Sequence, residues 1–431
     1  MSLPADDFAR TLWSRTAAAP PVTAPLRGDA ACEVAIIGAG ILGLSTALAL
    51  AARGVRTVVL EAAVIGAGAS GRNGGLVVPS LPRIGPEAAP PRLAAMIAGG
   101  ADAVFALIRR HGIACDAVQS GWLHPAHAES LAPRVAARVA AWQAAGARCV
   151  WLDAMETRRR MGSEAFHGAL FDPSGGHLDP LGYTRGLARA ALAAGAVIHA
   201  ASPVTDLRRD GGLWRLATPG GTLRAGRVLA AVNAAPPGLG GRASVVPLLV
   251  YQMATPVLPE AARRAVLPGG EAFSDTRNNL LAGRWTAEGR LVVGGMAVLH
   301  AGAIDRLPRR AARRLAAAFP PLGPVRFEYV WRGRAALTGD FLPRLTECAP
   351  GLVSSVACNG RGIVLSTVLG PALADYLATG DATELPLPLT PPRPIPLPGL
   401  ARRLPQLLLP LGAWQDRRAA RAAPPPASSS R

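Results

Sequence analysis

The chain of 431 residues contains no lysine. All 46 basic residues are arginine, which removes lysine Schiff bases, pyridoxal phosphate anchoring and the phosphate-loop lysine from the available mechanisms. Aromatic residues are scarce, at 5%. The five cysteines, Cys32, Cys115, Cys149, Cys348 and Cys358, form no C-x-x-C pair. Their odd number fits a reducing cytoplasm better than a disulfide framework. Seven histidines make no H-E-x-x-H or comparable spacing, so no metal site is expected. Asp6 and Asp7 stand where the basic start of a secretory leader would be, and a cytoplasmic enzyme is the expectation.

Half of the residues are apolar, enough for a large core, and the length suggests two closely joined domains. The net charge of +18 would suit a polyanion. Its arginine pairs are spread along the chain without interleaved aromatics, so they read as solvated faces and nucleic acid is not the expected partner. Val34 to Ala52 is apolar for long enough to imitate a membrane span. Its closely spaced glycines indicate instead a strand, a turn and a helix.

Glu33 to Ile37 reads as a strand, Gly38-Ala39-Gly40-Ile41-Leu42-Gly43 as a tight turn, and Leu44 to Arg53 as a helix ended by Gly54. The first glycine permits the turn, the second lets main chain approach a pyrophosphate, and the third lets helix and strand pack closely. The helix start offers free N–H groups and a favourable dipole end to an anion. Thr57 to Leu60 reads as the next strand, closed by Glu61, whose carboxylate suits ribose hydroxyls. An adenine dinucleotide is the implied ligand, with FAD and NAD both open at this point.

A second glycine-rich stretch follows, Gly66-Ala67-Gly68-Ala69-Ser70-Gly71-Arg72-Asn73-Gly74-Gly75. It resembles the segment that passes beside the flavin in D-amino-acid-oxidase-like FAD oxidoreductases, and within them the γ-glutamylputrescine-oxidase-like amine oxidoreductases. The likeness covers most of the chain: Leu12-Trp13 before the first strand, Pro203-Val204, Ala231-Val232-Asn233-Ala234-Ala235, Trp331-Arg332-Gly333, Thr338-Gly339-Asp340 with Pro343, and Cys358-Asn359-Gly360-Arg361-Gly362-Ile363-Val364. It implies that FAD is held by Gly38, Gly40, Ile41, Leu42, Gly43, Glu61, Ser70 to Gly75, Val204, Asn233, Ala234, Trp331 and Gly360 to Val364. Val330 to Thr338, where a related branch attaches its flavin to a cysteine, has none here, so noncovalent FAD is expected.

The resemblance also implies an α/β Rossmann-type FAD-binding domain, discontinuous, with an inserted α+β antiparallel-sheet substrate domain. The expected boundaries are 1–29 for a lead-in, 30–85, 165–236 and 326–385 for the FAD-binding domain, 86–164 and 237–325 for the substrate domain, and 386–431 for a Pro-rich, basic tail. Helices are expected over Arg92 to Arg110 and Ser130 to Ala145, and strands over Leu248 to Val257 and Arg290 to Val298.

The implied reaction removes hydride from the carbon beside an amine to flavin N5, leaving an imine that water hydrolyses. Related enzymes use lysines for a substrate carboxylate and for oxygen, and neither exists here, so an amine without an obligatory carboxylate is the favoured substrate. Arg361, Tyr251 and Arg332 are the candidate catalytic residues. Arg72, Arg284, Arg332, Arg334 or Arg361 would serve if a carboxylate must be clamped, and all seven histidines read as surface or core residues. The electron acceptor is oxygen or a quinone. A quinone-linked amino-acid dehydrogenase at the membrane surface and an oxidase acting on modified RNA are the alternatives. The Leu-rich segment Leu400 to Trp414 is expected to pack on the protein, with peripheral membrane contact left open.

Overall fold

The computed structural model describes residues 8–81, 83–233, 245–356, 358–395, 397–401 and 403–422. Ala234, the boundary at 236–237 and the last residues of the tail lie outside them. The described residues build two large sheets. The first is centred on Gly28–Ile37, paired in parallel with Gly221–Ala230 on one side and Thr57–Leu60 on the other. Val197–His199 extends it beyond Thr57–Leu60, and Leu352–Val356 and Arg344–Ala349 extend it beyond Gly221–Ala230. Central strands covered on both faces need continuous apolar runs, and Val34 to Ile37 and Thr57 to Leu60 supply them. Gly28–Ile37 begins five residues before the expected start at Glu33. Of the five residues before Glu33 only Cys32 is buried, so main-chain pairing with Gly221–Ala230, rather than an apolar run, defines this part of the strand.

The second sheet has the order Tyr329–Leu337, Val246–Val257, Arg290–Gly295, Ala282–Trp285, Ala272–Ser274, Trp122–Pro125, Ala169–Asp172 and Val150–Leu152. It is antiparallel except where Ala272–Ser274 meets Trp122–Pro125. One face packs on the helix Ala303–Ala318, in a core that includes Tyr251, Met253, Phe273 and Leu315. The other face turns to the first sheet.

Three placements redraw the expected boundaries. Ala169–Asp172 and Tyr329–Leu337 fell in the segments assigned to the cofactor, yet their ladder partners place them in the second sheet. Pro91–Ala98 and Gly100–Arg110, assigned to the first insert, pack on Gly362–Thr379. The approach is close because a Cβ at Gly100 would overlap the Val364 side chain. Gly362–Thr379 is the one described helix long and apolar enough to cross a membrane. It packs instead on Ile41–Ala51, where Gly370 lies directly on Ser45. The first residues of both helices line one cavity.

Candidate active site

That cavity, about 1650 Å³, runs from Gly38 to Leu42 and Glu61, past Asn73, Gly74 and Gly360 to Ile363, to a chamber around Trp122, His124 and Arg361. At the first end the main chain does the work. Gly38 has φ +106°, and a Cβ there would lie 2.9 Å from the Ala231 carbonyl oxygen. A Cβ on Gly40 would lie 2.9 Å from Ser70 Oγ, and one on Gly43 would overlap the Gly38 carbonyl. Ile41 donates its N–H to Ser70 Oγ at 3.0 Å, and Gly40 has no side chain to cap the remaining first-turn N–H groups. Glu61 accepts from the N–H of Ala39 at 2.8 Å and of Ala63 at 2.9 Å. Burial pushes its carboxyl pKa up.

The stretch from Gly66 to Gly75 is held from behind. Three consecutive carbonyls are each taken by a buried side-chain donor: Arg72 by Trp331 Nε1 at 2.9 Å, Asn73 by Trp13 Nε1 at 2.8 Å, and Gly74 by Arg284 Nε at 3.1 Å. Arg284 also donates to the carbonyls of Leu178 and Trp285 and lies over the Trp13 ring. Within the loop, Asn73 Nδ2 donates to the carbonyls of Ala69 and Ser70 while its Oδ1 accepts from Gly75 N–H. Opposite, Asn359, at φ +49°, accepts from Thr338 N–H at 2.9 Å. That bond ties the Thr338-Gly339-Asp340 turn to the start of Gly362–Thr379.

A glycine-shaped cleft, two uncapped helix starts and a ribose-suited carboxylate, continuous with a second chamber, fit an extended dinucleotide bearing a reactive ring. The profile of the DAO family, FAD dependent oxidoreductase, matches residues 33–376. The chain belongs to the DAO family. Its cofactor is FAD and it is an FAD-dependent oxidoreductase. It is 32% identical over 365 residues to gamma-glutamylputrescine oxidoreductase of Escherichia coli K12, covering 81% of this chain and 84% of that one. A probable oxidoreductase OrdL of Rhizobium meliloti is 30% identical over 386 residues, covering 85% and 87%. Among solved structures, glycine oxidase from Geobacillus kaustophilus superimposes with a TM-score of 0.72 at 25% identity, covering 85% of this chain and all of that one.

In this DAO-family enzyme the far chamber is built from side chains. Arg361 lies 5.2 Å over the Trp122 ring and 3.5 Å from Ser274 Oγ. Burial, then the charge of Arg138, lowers its pKa to about 10. His124 stacks on Trp122 with centroids 5.5 Å apart, and its Nδ1 lies 2.7 Å from the Ser274 carbonyl. Burial first, then Arg138, lowers its pKa to about 3, so the ring is neutral, Nδ1–H donates and Nε2 is left as an acceptor. Gln252, Arg134, Arg138 and the helix Leu404–Arg421 complete the walls. Asp416 of that helix accepts from Asn278 N–H at 3.1 Å and Nδ2 at 2.8 Å, and Ser130 Oγ donates to the Ala419 carbonyl at 2.8 Å.

The expected site residues divide accordingly. Gly38, Gly40, Ile41, Leu42, Glu61, Ser70, Arg72, Asn73, Gly74, Val204, Asn233, Gly360, Arg361, Gly362 and Ile363 line the cavity. Gly43, Gly71 and Gly75 do not, but a Cβ on any of them would overlap a carbonyl of the surrounding turns. Val364 points away, towards Gly100, and Trp331 acts behind the loop. Tyr251 needs correction as a catalytic candidate. Side chains alternate along a strand, so Leu248, Val250 and Gln252 face the cavity while Tyr251 is buried on the opposite face with its hydroxyl 3.3 Å from His300 Nδ1. Arg332, paired with Tyr251 in register, is likewise outside the cavity lining. Arg284 is occupied by three carbonyls. Arg72 lines the cavity but donates through Nε to the Ala67 carbonyl at 2.7 Å and so braces the loop, and Arg334 lines the cavity as well. Sequence reasoning missed Trp122, Ser274 and Arg138, and set His124 aside as a surface or core residue. Nothing in their local pattern marks them.

Proposed function

We propose that this chain oxidises the CH–NH bond of an amine or amino acid to an imine, which water then hydrolyses. The carrying observation is the continuity of the cavity from the dinucleotide cleft to the enclosed chamber of Arg361, His124 and Trp122. The names of the relatives, gamma-glutamylputrescine oxidoreductase and glycine oxidase, support the substrate class. FAD, bound along Gly38 to Leu42, Glu61, Asn73, Gly74 and Gly360 to Ile363, supplies the hydride acceptor at N5. It is held noncovalently in this reading: Cys358 is the thiol on the cavity wall, and burial pushes its pKa up, away from the nucleophilic thiolate.

The chain's own groups prepare the substrate. An amine loses hydride only when its nitrogen lone pair is free, and the nearby charges of Arg361 and Arg138 disfavour the ammonium form. Neutral His124 accepts a substrate N–H through Nε2 and orients it without holding the released proton. Arg361 is the candidate clamp for a carboxylate, so the reading takes in amino acids beside the carboxylate-free amines preferred from the sequence. An anaerobic screen of amines and amino acids, read by bleaching of the flavin absorbance, tests the reading. A panel that leaves the flavin oxidised throughout sinks it.

A second reading rests on the tail. Leu404–Arg421 leaves Leu407, Leu411 and Trp414 exposed and carries Arg417, Arg418 and Arg421, which suits an anionic membrane surface and a quinone acceptor. Sedimentation with phosphatidylglycerol vesicles, with and without residues 400–431, separates it. Equal sedimentation of both forms removes it.

A further inference from the structure

The cavity carries more positive charge than the proposed reaction uses. Seven arginines and four carboxylates line it. Glu61 belongs to the dinucleotide end, Asp275 pairs with Arg277, and Asp416 is bonded to Asn278. Only Glu87 remains, and it forms no ion pair with Arg134, Arg138 or Arg361 among the described residues.

Arg134 and Arg138 stand one turn apart on the helix Ala132–Ala144, a spacing at which like charges share a face and repel. Arg138 gives Nη2 to the carbonyls of Leu81 at 3.3 Å and Ile84 at 3.0 Å, while its Nε is buried without an acceptor. Among the described residues the Arg134 side chain has no hydrogen bond or ion pair, and the only polar partner of the Arg361 guanidinium is Ser274 Oγ. The three cations also feel one another: after burial, Arg138 lowers the pKa of Arg361, and Arg134 lowers that of Arg138. Glu87 acts on Arg138 in the opposite sense to Arg134 but more weakly, and guanidinium groups that outnumber the carboxylates beside them are relieved by a bound anion, and by more than one anionic group where they are spread along a wall.

We propose that Arg138 and Arg134 form a subsite for a second acidic group, so that the substrate is an amine bearing one carboxylate at Arg361 and another acid further along the chamber. This rests on the amine-oxidation reading for the substrate's chemistry, but the anion site itself is testable without turnover. The holoenzyme is titrated with succinate, glutarate and adipate, and with propionate, butyrate and valerate, at constant ionic strength. Perturbation of the flavin absorbance gives each Kd. At least one dicarboxylate binds tenfold or more tightly than the monocarboxylate one carboxyl short of it, about the effect of one charged hydrogen bond.

Arg134→Gln brings that preference to within threefold while leaving monocarboxylate binding unchanged, and Arg138→Gln likewise brings the preference to within threefold. No dicarboxylate preference in the parent, or an undiminished preference in the variants, overturns the subsite. Because Arg138 also braces Leu81 and Ile84, Arg134→Gln decides alone if the other variant fails to fold. Amines that bleach the flavin without a dicarboxylate preference overturn the subsite and leave the reaction standing. The converse result removes the reaction and keeps the subsite.

Discussion

The two ends of the cavity are made of different materials. The dinucleotide end is main chain: glycines with no room for a Cβ, uncapped helix N–H groups and one carboxylate. The far end, proposed for the substrate, is side chain: guanidiniums, an indole and a neutral imidazole drawn from residues 122 to 361. Main-chain recognition tolerates no added atom but needs little charge. Side-chain recognition tolerates added atoms and depends on charge, so substitutions at the two ends should fail in different ways.

The sharpest break of that contrast is Gly40→Val. Even its Cβ would meet Ser70 Oγ at 2.9 Å, so the variant should purify folded and without flavin, as read by the ratio of absorbance at 450 and 280 nm, about the loss of the whole cofactor signal. Flavin at the parental ratio would show that the first end is not the pyrophosphate site. In the parent, acid precipitation should release all flavin to the supernatant.

Arg284→Met probes a side chain that serves the main-chain end. Three buried carbonyls lose a charged donor, a cost of at least about 3 kcal/mol in unfolding free energy, together with weaker FAD retention. An unchanged urea midpoint would mean that the loop holds itself. Arg361→Met tests the other end: FAD stays bound, while anaerobic reduction slows by roughly tenfold to a hundredfold, from the loss of one charged contact of about 1.5–3 kcal/mol. Loss of flavin from this variant would erase the distinction between the ends.

The smallest effect concerns the seam between them, where Gly176–His177 pairs with Leu76–Val77 just after the Gly66 to Gly75 stretch. Burial, then Arg284, lowers the His177 pKa from 6.5 to about 3. The unfolded chain therefore binds a proton below pH 6.5 that the folded chain refuses. The stability present above pH 6.5 is lost as pH falls towards 3, at up to about 1.4 kcal/mol per pH unit for this group. Melting temperatures from pH 7 to 5 should fall less steeply for His177→Gln than for the parent, and parallel curves would remove His177 as a cause.

The same division decides what the sequence made legible. A main-chain requirement is written in the identity of single residues, so Gly38, Gly40, Gly43 and Glu61 announce both turn and ligand. Apart from Arg361, the chamber is written in no local pattern, because Trp122 and Ser274 meet through the order of the second sheet, Arg138 comes from the helix Ala132–Ala144, and Arg361 from the turn before Gly362–Thr379. Tyr251 was misjudged for a related reason. Leu248, Leu249 and Val250 are all apolar, so the pattern along the strand does not show which face turns to the cavity. The expected noncovalent cofactor and carboxylate-free substrate came from missing lysines and a missing cysteine. Geometry adds the surplus of arginine, which those absences do not contain.

The three donors behind Arg72, Asn73 and Gly74 come from residues 13, 284 and 331. Domains generally fold from the amino terminus as they leave the ribosome, yet this loop waits for a tryptophan made more than two hundred and fifty residues after it. The brace behind Arg72 to Gly74 is therefore expected to close only after residue 331 has been synthesised, long after the glycine turn at Gly38 to Gly43.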